Sequence, residues 1–122
     1  MFKKKCNSVD EKYFVLIKSL AGIEKFTDLK LLYCVSNNLT GLNISGNPNL
    51  TDFDCGNNNL NFLDLTPNSR SKRIICWNNK LTSFIVGENQ YLTNLSHTKN
   101  QLQSIDISKC AKLFALTWYQ NQ

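Results

Sequence analysis

One spacing pattern dominates this sequence: from residue 29 onward, the template L-x-x-L-x-(apolar)-x-x-N recurs nine times. Successive copies begin alternately 10 and 11 residues apart, so two of these half-units together make a period of 21 residues. The first position is Leu in all copies except the one with Ser71, and the ninth is Asn in all except the one with Cys110. Repetition this regular indicates stacked, equal coils. The half-units begin at Leu29, Leu39, Leu50, Leu60, Ser71, Leu81, Leu92, Leu102 and Leu113.

The spacing within a half-unit is that of a β-strand. Positions four and six are apolar and alternate with positions three, five and seven, so the former point inward and the latter outward. One half-unit cannot bury its apolar positions alone, and successive coils must therefore stack and share a core. The sequence predicts a mainly β solenoid of about 4.5 repeats, with strand-like segments on both sides of each coil. We call the half-units that begin at 29, 50, 71, 92 and 113 odd, and the others even.

The ninth position lies where the backbone turns out of each strand. An Asn side chain directed inward at this point can satisfy backbone donors and acceptors that the turn leaves unpaired. Stacked coils would align these amides in a ladder, and the loss of one amide should cost about 1–3 kcal/mol. The ladder predicted for the odd half-units consists of Asn37, Asn58, Asn79, Asn100 and Asn121.

These columns resemble the 21-residue bacterial leucine-rich repeats of the type L-x-x-L-x-C-x-x-N-x-L-x-x-L-D-L-x-x-N-x-x. Residues 50–70, LTDFDCGNNNLNFLDLTPNSR, match this consensus nearly column for column. The resemblance covers about three quarters of the chain and is specific for the fold. It implies a recognition scaffold, whose partners differ widely from one such protein to the next.

The two ends of the chain depart from the repeat. Ser8 and Glu11 form a capping-box pattern, which predicts a helix that runs to about Ala21 and stops at Gly22. Residues 1–28 are therefore expected to be a helical cap and entry, and residues 29–122 to be the repeats. At the other end no polar coil follows Trp118, so we expect either a fragment of a longer array or an end that associates with another chain.

Cysteine and histidine share one inward column. Cys34, Cys55, Cys76 and His97 stand 21 residues apart, but parallel strands about 4.8 Å apart would set them in a line, whereas zinc needs converging ligands. Adjacent side chains that point the same way also disfavour disulfides. We expect buried, reduced thiols and a neutral core histidine. Because Cys110 lies more than half a coil from His97, a nucleophilic pair is not expected, and we predict no enzyme activity, metal or cofactor.

The outward positions of the odd half-units form the predicted binding face. Aromatic and arginine side chains are enriched at the centres of protein interfaces, and here they alternate with acidic residues. The alternative for the aromatics is that they reflect strand propensity and cross-strand packing. We expect a protein partner; a nucleic-acid partner would require more positive charge along a groove. The candidate partner-binding residues are Tyr33, Asp52, Asp54, Arg73, Ile75, Trp77 and Tyr119.

Charge and hydropathy set limits on location. The net charge of +5 is spread over the chain, which favours anionic partners only weakly. No apolar run approaches the ~20 residues of a membrane span, and Asp10 and Glu11 interrupt any signal-peptide pattern. The sequence alone thus favours a cytoplasmic protein by default, with secretion or surface display as the alternative if the chain is a fragment or leaves the cell without a cleavable signal.

Overall fold

The computed structural model describes residues 2–3 and 16–121 of the chain. Regular secondary structure among these residues is limited to eight very short strands and one turn of 3₁₀ helix, as expected for a chain that turns every few residues. The elements are β1 (Phe2–Lys3), a 3₁₀ helix (Ile23–Lys25), β2 (Leu31–Tyr33), β3 (Asp52–Asp54), β4 (Phe62–Asp64), β5 (Arg73–Ile75), β6 (Ser83–Ile85), β7 (Asn94–Ser96) and β8 (Ala115–Thr117).

The strands assemble into two parallel sheets on opposite sides of the coil. β1 and the strands of the odd half-units form a six-stranded sheet in the order β1-β2-β3-β5-β7-β8. Its register follows the repeat, because Asp52 pairs with Arg73 and Arg73 pairs with Asn94. β4 and β6, from two even half-units, form a two-stranded sheet with the same offset. The predicted β solenoid with coils of 21 residues is confirmed.

The core consists of the inward positions of both kinds of half-unit. In β2, β3 and β5 the middle residue is fully buried, while its neighbours on either side are partly exposed. Ser71, which replaces Leu in the first column, is also buried, and its hydroxyl donates to the carbonyl oxygen of Leu50 at 3.4 Å. The coils therefore share one continuous apolar interior. Fully buried residues of the first column are Leu39, Leu50, Leu60, Leu81 and Leu92.

Residues 16–26 form part of a further coil instead of the end of a helix. The N–H of Ile17 donates to Oδ1 of Asn37 at 3.0 Å, and the carbonyl oxygen of Ile17 accepts the N–H of Asn38 at 2.9 Å. Because the next coil uses both backbone groups of Ile17, they are not available for helical hydrogen bonds. The predicted helix is therefore wrong over residues 16–21, and its remainder lies outside the described residues.

The asparagines of the odd half-units bridge neighbouring coils. Nδ2 of Asn79 donates to the carbonyl oxygens of Cys55, Cys76 and Trp77 at 3.1–3.3 Å. Oδ1 of Asn79 accepts the N–H of Leu60, in the preceding coil, at 3.0 Å. Every polar group of this buried amide is thus used to pair backbone groups within the turn. The same arrangement recurs at Asn58 and Asn100. Asn37 and Asn121 likewise accept a backbone N–H of the preceding coil and donate to backbone carbonyl oxygens.

The asparagines of the even half-units form a different set of hydrogen bonds. Nδ2 of Asn68 donates to the carbonyl oxygens of Ile44 and Asn47 at 3.0 and 2.9 Å. Its Oδ1 is buried and, among the described residues, has no hydrogen-bond donor, as is also true of Asn47 and Asn89. The asparagines of the even half-units therefore donate hydrogen bonds to backbone carbonyl oxygens but accept none from backbone N–H groups among the described residues. Cys110 stands in the Asn position of the last even half-unit and is itself buried.

The last described coil leaves apolar side chains exposed. Trp118 continues the column of Cys34, Cys55, Cys76 and His97, but 64% of its surface is accessible. Phe114, Leu116 and Tyr119 in the same coil are also exposed. Within the described part of the chain, no helix is long and apolar enough to cross a membrane.

Candidate binding face

The six-stranded sheet brings the outward positions of the odd half-units onto one surface, which we call the odd face. Since each coil is in register with the next, side chains at the same position of the template form columns along the solenoid axis. The third position contributes Leu31, Asp52, Arg73, Asn94 and Ala115; the fifth contributes Tyr33, Asp54, Ile75, Ser96 and Thr117; and the seventh contributes Val35, Gly56, Trp77, Thr98 and Tyr119. All seven candidate residues named from the sequence lie on the odd face.

The indole ring of Trp77 lies directly on Gly56 of the preceding coil. A Cβ atom added to Gly56 would be 2.3 Å from Nε1 of Trp77 and 2.7 Å from both ring atoms bonded to it. These three distances place the added carbon directly above Nε1, on the normal to the plane of the ring. The indole ring of Trp77 therefore contacts Gly56 with its flat face. Trp77 is consequently partly buried, with its ring packed on Gly56. Sequence reasoning missed the role of Gly56, although it is the one glycine in the outward columns of the odd half-units.

Acidic residues precede Arg73 on the odd face. Asp52 pairs with Arg73 in the strand register, and Asp54 pairs with Ile75. Partial burial raises the pKa of the Asp54 carboxyl above its usual value, whereas the N–H of Gly56, which donates to it at 3.0 Å, and the charge of Arg73 act in the opposite direction. The face therefore carries charges of both signs on adjacent strands.

The remaining candidates differ in exposure. Tyr33 and Ile75 are partly exposed within the sheet, and Tyr119 is 62% exposed in the last coil. Thr98, which the alternation predicts to face solvent, is instead buried, with 7% of its surface accessible, and it lies in the column between Trp77 and Tyr119.

The column of cysteines lies on the inner side of the same strands. Burial, with a smaller contribution from the charge of Asp54, raises the pKa of the Cys34 thiol to about 12. Burial likewise raises the pKa of Cys55 and of Cys76. These thiols are therefore held in the protonated, weakly nucleophilic form. Among the described residues no group of three or more His, Cys, Asp or Glu side chains could hold a metal ion.

His97 occupies the same inner column as these cysteines. Burial lowers the pKa of its imidazole below the ordinary 6.5 and so favours the neutral ring. Nδ1 lies 3.5 Å from Nδ2 of Asn121, and Nε2 is buried without a partner among the described residues. Cys110, which the sequence raised as a conceivable companion of His97, belongs to the even side of the coil.

Comparison with known proteins finds a similar solved structure but no matching family model or curated protein. No protein-family model matches the chain, and no curated protein does. Among solved structures, the chain is similar to the functional domain of InlJ from Listeria monocytogenes, which is described as including a cysteine ladder. The TM-score is 0.77 at 42% sequence identity, over 80% of this chain and 22% of that one. The 21-residue period, the stacked parallel coils and this similarity together identify the chain as a leucine-rich-repeat protein of the bacterial type.

Proposed function

We propose that the chain is a non-catalytic module that binds a protein partner through the odd face. The observation that supports this most is the position of the candidate residues: all lie within, or two residues after, strands of a single parallel sheet, at positions that alternate with the buried ones. Solenoids use continuous surfaces of this kind for recognition. The similar structure supports the fold of such a module, and this chain spans 22% of its length.

The centre of the proposed interface is the area around Trp77, Arg73 and Asp52. Trp77 is already held against Gly56, so little side-chain entropy remains to be lost when a partner covers it. Arg73 and Asp52 are adjacent in the register and offer charge contacts at its border. A partner with an apolar centre flanked by charges of both signs would complement this arrangement.

The proposal that the module does not catalyse a reaction is supported by the state of its nucleophiles. The thiols of Cys34, Cys55 and Cys76 have raised pKa values and lie beneath the sheet. The neutral imidazole of His97 is buried, with 3% of its surface accessible. Neither kind of group is positioned to reach a substrate on the odd face.

The test is a quantitative comparison of binding by variants. A partner captured on the immobilised protein would be purified, and its dissociation constant measured for Trp77→Ala, Arg73→Ala and Tyr33→Ala. We expect at least one of these to weaken binding by tenfold or more, which is the usual effect of losing an interface anchor (about 1.4 kcal/mol). Phe62→Ala is the matched control, because Phe62 is an exposed aromatic on the even side. Unchanged affinity in all three variants, or a loss only with Phe62→Ala, would refute the choice of face.

We propose as a second candidate function a structural segment that associates with itself through the last described coil. Phe114 and Trp118 are 79% and 64% exposed, and one edge of β8 is unpaired in the described sheet. Surfaces of this kind promote association between chains. Sedimentation over a range of concentrations tests it: this function predicts oligomers that disappear when a polar capping coil is fused after Gln122. A monomer at all concentrations would exclude it.

A further inference from the structure

A cleft lined by amide side chains follows the turn that leaves the odd strands. Its volume is about 350 Å³, and it extends across three coils. We call it the amide cleft. It is separate from the odd face, because its residues occupy the eighth to tenth positions of the template. The side chains used in the argument below are Ser36, Asn38, Asn57, Asn59, Asn78 and Lys80.

The eighth position of the template supplies a hydrogen-bonded row of polar side chains to the amide cleft. Nδ2 of Asn78 donates to Oδ1 of Asn57 at 2.6 Å, and Nδ2 of Asn57 donates to Oγ of Ser36 at 3.0 Å. All three residues have left-handed backbones, with φ of 51°, 56° and 55°. Asn tolerates this conformation better than most residues, so the turn by itself accounts for Asn57 and Asn78. Their amides are nevertheless hydrogen-bonded to each other, and that of Asn57 to Ser36.

The asparagines that line the cleft at the tenth position of the template are not explained by the backbone. Asn38 and Asn59 have no positive φ, and their side chains make no hydrogen bond to any described residue. Both are partly buried, and both line the cleft. Each offers two donors and an acceptor that folding does not use. An amide with no hydrogen bond in the fold, repeated in successive coils and lining the same cleft as a hydrogen-bonded row of amides, is suited to ligand recognition.

The chemistry of the lining favours an uncharged ligand rich in hydroxyl groups. No acidic side chain lines the cleft among the described residues, and Lys80 is its one cation. Amides donate and accept hydrogen bonds equally, as hydroxyl groups do. The spacing points the same way, because parallel strands repeat about every 4.8 Å, and one sugar of an extended β-linked chain advances by a similar length. An extended peptide advances only about 3.3 Å per residue and would fall out of register with the coils.

We infer that the amide cleft binds a neutral, extended, β-linked oligosaccharide, with about one sugar residue for each coil. Asn38 and Asn59 bind its hydroxyl groups from one side, and the row formed by Ser36, Asn57 and Asn78 binds them from the other. This site is independent of the proposed protein-binding face, since none of its residues lies at an outward position of the odd strands.

The experiment uses cellotetraose and chitotetraose as probes, with binding followed by NMR titration of side-chain amide signals and by calorimetry. We expect saturable binding of at least one probe, with shifts at Asn38 and Asn59, and at least a tenfold loss of affinity in the double variant Asn38→Ala/Asn59→Ala. Gln101→Ala is the matched control, because Gln101 occupies the position of Asn59 two coils further along and does not line the cleft.

Three results would overturn the inference. These are the absence of saturable binding by both sugars, retained affinity in the double variant, and equal binding of a neutral Gly-Ser peptide of similar length. The double variant should unfold at the same urea concentration as the parent chain, because neither side chain makes a hydrogen bond in the fold. Arg73→Ala should leave sugar binding unchanged, which separates this site from the odd face.

Discussion

The two asparagine ladders differ in a way that predicts unequal effects of the same substitution. In Asn79→Ala, the carbonyl oxygen of Cys55 keeps its hydrogen bond from Asn58, and that of Cys76 keeps its hydrogen bond from Asn100. The N–H of Leu60 loses its acceptor, and the turn in which it lies is buried. An orphaned buried donor costs about 1–3 kcal/mol, and we expect the free energy of unfolding to fall by about that amount.

Asn68→Ala is the matched control, because Asn68 is at least as deeply buried as Asn79. Its Oδ1 accepts no hydrogen bond among the described residues. The carbonyl oxygens of Ile44 and Asn47, to which Nδ2 donates, also accept the N–H groups of Asn47 and Leu50, at 3.1 and 3.2 Å. No backbone group is left without a partner, so the loss should be below about 1 kcal/mol.

Equilibrium urea denaturation followed by far-UV circular dichroism measures both free energies. The two sites are in adjacent coils within the array, so end effects on a repeat protein are similar for both. The expected order is parent, then Asn68→Ala, then Asn79→Ala, with equal slopes against urea concentration. If Asn68→Ala destabilised the fold as much as Asn79→Ala, the number of orphaned backbone groups would not be what determines the cost.

Three further predictions follow from packing and ionisation. Gly56→Ala should displace the ring of Trp77 and cost about 1–3 kcal/mol in urea denaturation, whereas Gly41→Ala, with nothing within 4 Å of the added carbon, should be neutral or slightly stabilising. Equal effects would contradict the face-on contact. Burial raises the pKa of the Cys34 thiol to about 12, so this thiol should resist iodoacetamide at pH 8, which is about the ordinary thiol pKa, until the chain unfolds. Peptide mass spectrometry measures the labelling, and rapid labelling of the folded chain would contradict the burial of Cys34. The folded pKa of His97 is lowered, so the unfolded state binds more protons and stability should decrease as the pH falls through 6.5, the unfolded value. Because His97 is the one histidine in the sequence, His97→Leu should abolish the loss of unfolding free energy between about pH 7 and pH 5. If the variant still lost stability over this range, the pH dependence would belong to other groups.

The repeat allowed most of the architecture to be predicted. The spacing of Leu and Asn predicted the coil length, the parallel register and the inward positions, and β3 and β5 pair with the predicted offset. The helix expected to end at Ala21 was wrong over residues 16–21, because local capping signals do not include the hydrogen bonds that the next coil makes with Ile17. The candidate binding residues and the domain boundary at residue 28 remain predictions.

The period of the amino-acid sequence establishes a solenoid of 21-residue coils, because a period is a property of the covalent chain. Tertiary packing was needed to show which asparagine oxygens have donors, that Trp77 rests on Gly56, and that Asn38 and Asn59 line a cleft. Each of these depends on distances of a few ångströms between side chains in different coils. Such distances are set by how the coils stack, and the repeat template is the same whether or not a given contact forms.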